Sequence, residues 1–155
     1  MGGSFIQLAP NIIYIVVDDL GTEDLGSYGS KNILTPNLDR LANQGLTFTQ
    51  AYSGCTVCAP ARSTLLTGQH MGHTPVRGNT GGISLPADAF TMGDMFKNAG
   101  YVTGGFGKWG VAEVGTEGVP EKQGFDTFYG YNCQRQAHNL YPKHLWKNEE
   151  RVYLN

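Results

Sequence analysis

Only three of the 155 residues are cysteine, Cys55, Cys58 and Cys133. An odd and small number cannot build a disulfide framework, so cysteine usage leaves the redox compartment open. Charge is also scarce: 11 Lys and Arg stand against 13 Asp and Glu, with no basic run anywhere. Nucleic-acid binding needs a basic patch or stripe, and the composition therefore excludes nucleic acid as a partner. Long hydrophobic runs are missing as well. The strongest, at residues 12–17, falls far short of the roughly 20 apolar residues that span a bilayer. The opening "MGGSFIQLAP" has neither a basic n-region nor a long apolar h-region, which predicts no membrane span. Residues 1–9 read as a flexible leader or vector-derived sequence. The chain is then cytoplasmic, or periplasmic or secreted if a leader has been removed.

What is present alternates strand and helix signals. "NIIYIVV" is a continuous, largely β-branched run ending in Asp18 and Asp19, the pattern of a strand buried on both faces of a parallel sheet. "TPNLDRLANQG" supplies Thr35 as a helix N-cap, Pro36 at the first helical position, Leu38 and Leu41 on one face and Gly45 as a stop. "LTFTQAY" reads as a strand. "FTMGDMFKNAGY" repeats the helix grammar, with Thr91 as cap and Gly100 as stop, and "YVTGGFGKWG" reads as a strand running into a loop. Beyond Gly110 the chain is rich in Gly, Asn and aromatics without clear periodicity. This order predicts an α/β fold, a doubly wound, mostly parallel sheet with helices on both faces.

In such sheets ligands bind outside the carboxyl ends of the strands, where three loaded stretches fall: Asp18-Asp19, residues 58–62, and Gly107-Lys108-Trp109. Adjacent carboxylates repel until a hard cation neutralises them, and oxygen ligation favours Ca²⁺, with Mg²⁺ the lesser candidate; the plainer reading is a solvated turn. Cys55 and Cys58 form C-x-x-C, which admits a redox pair. A structural zinc would have to recruit Cys133 and scattered histidines as further ligands. A third reading places Cys58 at a helix start, facing the positive dipole end, with Arg62 one turn up on the same face.

The run Cys58-Ala59-Pro60-Ala61-Arg62 followed by "STLLTG" resembles the C-x-P-x-R signature of type I sulfatases, in which the cysteine is oxidised to formylglycine. The resemblance extends from "NIIYIVVDDLG" through "GKWG" to "KQGFD". It implies an alkaline-phosphatase-like fold, a maturation enzyme that generates formylglycine from Cys58, and Ca²⁺ held by Asp18 and Asp19. It further implies that Arg62 and Lys108 hold the aldehyde hydrate and the sulfate of a sulfated carbohydrate or aryl sulfate. One hydroxyl of a hydrated aldehyde can attack sulfur, and the other, once deprotonated, collapses to the aldehyde and expels sulfate.

Two features depart from the family pattern. Many members read G-K-W-H, whereas Gly110 stands here in place of that His. His138, in "QRQAHNLYP", is a candidate substrate contact, and Arg77 a second. Members also draw another Asp/Asn pair, a second Lys and a His from later in a chain several hundred residues long. Residues 1–155 therefore read as the N-terminal part of a single sulfatase domain, with an incomplete fold and site and little activity by itself. A phosphodiester or phosphonate hydrolase with the same nucleophile, and a non-catalytic remnant, are the alternatives.

Overall fold

The computed structural model describes residues 9–80 and 82–154. All but Ala9 of the leader expected over residues 1–9 lies outside the described residues. The chain falls into two compact units, one up to Gln50 and one from Ala51.

In the first unit the residues 12–17 form no strand and are exposed, Ile13 at 85% and Ile15 at 74%. The strands expected at 11–17 and 46–52 are both absent. A strand is stabilised by cross-strand partners more than by its own propensity. Among the described residues, the other elements of this unit are two short 3₁₀ turns, Thr22–Asp24 and Gly26–Tyr28, and the helix α1, Pro36–Gln44, which offer no strand edge to pair with. Thr35 does stand at the N-cap, yet its hydroxyl accepts the Gly26 N–H (2.8 Å) and reaches Asp39 (3.0 Å), so it caps no helical donor. Asp39 in turn accepts the Ser27 N–H at 2.7 Å, pinning the 3₁₀ turn to the helix.

The second unit carries α2 (Cys58–Thr67), α3 (Met92–Asn98), β1 (Gly104–Lys108), β2 (Thr127–Tyr131), α4 (Gln134–Ala137), β3 (His144–Lys147) and β4 (Glu150–Tyr153). Thr91 caps α3 as expected: it accepts from the Gly93 and Asp94 N–H groups while Asp94 accepts the Thr91 N–H. The four strands lie in sequence order, β1 and β2 parallel, the two later pairs antiparallel. The expected α/β character is present in a small mixed sheet. The strands after Gly110 escaped periodicity because they are only four or five residues long. Their hairpin turns at Asn148, whose φ of 50° is the left-handed region that Asn tolerates. The core gathers Ala59, Leu66, Val76, Leu85, Trp109, Val111, Val119 and Phe128. Trp109 packs edge-on against Phe125 and donates its indole N–H to the Gly118 carbonyl at 2.8 Å.

Candidate active site

Cys58 is the first residue of α2. Val57 at the N-cap offers no side-chain acceptor, and Pro60 lacks an N–H, which costs nothing in a first turn whose donors have no intrahelical partner. Ala59, Ser63 and Leu66, at i, i+4 and i+7, bury one face of the helix. That leaves Cys58 and Arg62 together on a neighbouring, half-buried face. The helix is fixed by polar bonds beneath it. Ser63 bonds Thr74 and accepts the Val76 N–H at 3.3 Å, while Asn79 Oδ1 accepts the first-turn N–H of Ala59 at 3.2 Å. Asn79 thus supplies from 20 residues away the cap that Val57 cannot give. Sequence reading missed it because nothing local marks it.

β1 ends at Lys108, and its parallel pairing with β2 continues past the strand. Lys108 lies opposite Tyr131, the Trp109 N–H bonds the Tyr131 carbonyl (2.9 Å), and the Gly110 N–H bonds the Asn132 carbonyl (3.0 Å). Arg62 Nη1 donates to the carbonyl of Lys108, which joins the helix that starts at Cys58 to the end of β1. Three predicted residues, Cys58, Arg62 and Lys108, are therefore carried on two elements in direct contact. Gly110 is buried with φ +77°, and a Cβ there would lie 2.9 Å from Gln134 Nε2 and 3.1 Å from Arg62 Cδ. The two side chains converge over the glycine. Gln134 was not singled out from sequence; the signal that could have found it is the missing His at position 110.

The remaining candidates belong to other parts of the chain. His138 closes α4 and is exposed; its N–H bonds the Gln134 carbonyl at 3.1 Å. Arg77 is exposed and donates Nε–H to the Thr74 carbonyl at 3.1 Å. Asp18 and Asp19 belong to the first unit, in an exposed turn where Asp19 takes a left-handed φ of 57°. Two adjacent carboxylates in an exposed turn form an oxygen-only donor pair suited to a hard cation. All three cysteines are free thiols, and among the described residues no helix is long and apolar enough to cross a membrane.

The family model of the sulfatases matches residues 10–152. Human arylsulfatase A is 43% identical over 136 residues, covering 83% of this chain and 26% of that protein. An N-acetylgalactosamine-6-O-sulfatase of Bacteroides thetaiotaomicron is 41% identical over 121 residues, covering 76% and 24%. Among solved structures, one from work on glycosaminoglycan metabolism by Bacteroides thetaiotaomicron aligns with a TM-score of 0.79 at 36% identity, over 94% of this chain and 32% of that one. Another, in complex with its substrate D-glucosamine-2-N,6-O-disulfate, aligns at 0.76 and 29% identity, over 93% and 27%. The chain spans about a quarter of the length of the curated relatives it matches. These sulfatase structures share the alkaline-phosphatase-like fold anticipated from the sequence, and the chain belongs to the sulfatase family.

Proposed function

We propose that the chain is the nucleophile-bearing, N-terminal part of a sulfatase domain that hydrolyses sulfate esters of a sulfated sugar or an aryl alcohol. The observation that supports this reading most directly is the bond from Arg62 to the carbonyl of Lys108, which ties the helix starting at Cys58 to the strand end that carries a second cation. Sulfated amino sugars are the substrates named for two of the similar proteins, which favours the sugar among the two classes.

Cys58 is the residue converted to formylglycine by a maturation enzyme. That group, once formed, supplies a hydrated aldehyde with one hydroxyl to attack sulfur and another to release it. Arg62 and Lys108 bind the sulfuryl oxygens and hold them in line with the start of α2, whose N–H groups add positive potential where charge spreads during transfer. Asp18 and Asp19 would hold Ca²⁺, with Mg²⁺ the lesser candidate; when bound, the ion supplies charge that lowers the pKa of a ligated hydroxyl. Arg77 and His138, both exposed, are assigned to the sugar rather than to the sulfate. Two carboxylates leave most of a six- to eight-oxygen calcium shell to other ligands, so the 155-residue chain alone turns over little.

Peptide mass spectrometry after co-expression with a formylglycine-generating enzyme tests the central step. Conversion of Cys58 with Cys55 remaining a thiol is expected; a Cys55–Cys58 disulfide that follows redox potential would replace this reading with an oxidoreductase. Matched aryl sulfate and aryl phosphate diester assays separate a sulfatase from a phosphodiester hydrolase. No conversion together with no calorimetric Ca²⁺ response, unaltered in Asp18→Ala and Asp19→Ala, would indicate a non-catalytic remnant.

A further inference from the structure

Gln134 is the first residue of α4, directly after the N-cap Cys133, and both polar atoms of its side-chain amide are buried. Neither atom finds a hydrogen-bond partner among the described residues, and the same holds for Oδ1 of Asn132, a residue 1% exposed. Buried side-chain amides are nearly always paired, because an unpaired one forfeits its hydration without return. The unpaired amide here is not in the apolar core. It lies 2.9 Å from the point a Cβ on Gly110 would occupy, with the Arg62 stem 3.1 Å from the same point. Gly110 itself is two residues past Lys108 and is held to Asn132 by its N–H. A left-handed φ of +77° strains any side chain at 110, and one placed there would have to displace the Gln134 amide.

We infer that Gln134 is a sulfate-binding residue, its amide N–H donating to a sulfuryl oxygen from the place that a side chain at position 110 would otherwise fill. The inference rests on the proposed sulfate pocket of Arg62 and Lys108 and names a third member of it. A neutral amide suits this position. Two cations already offset the charge of the sulfate, and a third would repel them across the Arg62 stem. A directed neutral donor adds a hydrogen bond, and it stays a donor at every pH at which the protein is folded. Substrate binding then relieves the orphaned amide, so its burial is a cost to the free protein that the anion removes.

The test uses the 155-residue chain, ¹⁵N-labelled, titrated with sodium sulfate against sodium chloride at equal ionic strength. The side-chain NH₂ signals of Gln134 and the Nε–H of Arg62 should shift with one shared dissociation constant. Gln134→Met keeps the length without the donor and should weaken sulfate about tenfold, the factor usual for one hydrogen bond to an anion, with an unchanged or higher Tm. Gln134→Glu should weaken it further, and Gln134→Asn should restore part of the affinity lost in Gln134→Met. A purely structural role predicts the reverse: a lower Tm for Gln134→Met and unaltered sulfate binding. If Arg62→Ala abolishes the shifts while Gln134→Met binds sulfate like the parent, the inference fails and the sulfate pocket stands. If the parent shows no sulfate response, or Arg62→Ala leaves it intact, the pocket reading fails and takes the inference with it.

Discussion

The run at 12–17 and the strand β1 invert what their sequences promise. The first is six consecutive apolar residues, five of them β-branched, and it forms no strand. The second reads GGFGK, three glycines in five residues, and it forms the parallel pair on which Lys108 is mounted. Propensity favours the first by a wide margin; partners decide for the second. β2 runs alongside β1 over all five residues, and Gly105 lets two aromatics approach: a Cβ there would meet Phe128 of β2 at 3.2 Å and Phe125, just before β2, at 3.4 Å. Glycine in β1 is thus spent on close packing, and the rigidity of the strand comes from what it packs against.

The largest effect should separate the two regions by stability. Trp109, directly after β1, and Phe128, in β2, are buried, whereas Ile13 is exposed. In urea unfolding, Trp109→Ala or Phe128→Ala should cost about 3–5 kcal/mol, and Ile13→Ala within about 0.5 kcal/mol of zero. A penalty for Ile13→Ala approaching that of Phe128→Ala would mean the run at 12–17 is packed in solution, and the contrast would collapse.

A substitution that propensity recommends comes next. Gly105→Val adds a β-branched residue to a strand and should stabilise if propensity governs. The space available predicts the opposite, a loss of about 1–3 kcal/mol from overpacking Phe125 and Phe128. Unfolding curves that move to higher denaturant for Gly105→Val would show that β1 is limited by its glycines after all.

Local grammar was legible wherever a few neighbouring residues determine the outcome. The Thr91 box, the Pro36 start and the position of Cys58 at the head of α2 were all readable, because caps and first turns are set within four residues. The expected strand at 11–17 was not formed, since pairing depends on residues that periodicity does not reveal. In the site, Arg62 and Lys108 were legible as charges after a motif, while their link runs through a backbone carbonyl, which no sequence pattern encodes. Gln134 and Asn79 were illegible for the same reason: one acts across 24 residues on Gly110 and the other across 20 on Ala59.

Asn79 allows a finer test of how the site depends on distant partners. Asn79→Ala removes the acceptor for the Ala59 N–H and should destabilise by about 1 kcal/mol, as loss of a helix cap does. Cys58 should then alkylate at a changed rate while Cys133, capping α4, is unaffected. Asn79→Asp should retain the stability, and equal loss in both variants would show that the bond to Ala59 contributes nothing.

The smallest effect concerns the clamp at the mouth of the β1–β2 pair, the kind of contact that the run at 12–17 lacks. Asp126 precedes β2 and accepts the N–H of Thr103, which precedes β1, at 3.0 Å; its other oxygen pairs with Lys97 at 2.8 Å. The Lys97 hydrogen bond, then those from the Thr103 backbone and hydroxyl, lower the Asp126 pKa from its ordinary 3.8 to about 2. A carboxyl depressed in the folded state contributes stability that is fully present above 3.8 and is lost as pH falls through about 2. Because both partners are partly exposed, the contribution is small and screened by salt. Unfolding followed from pH 5 to pH 2 should show the parent losing stability more steeply than Asp126→Asn, with the gap between them closing toward the acid end. Parallel curves would mean that the ionised carboxylate does not hold the strand pair, and that the backbone bonds between Thr103 and residues 126 and 127 suffice.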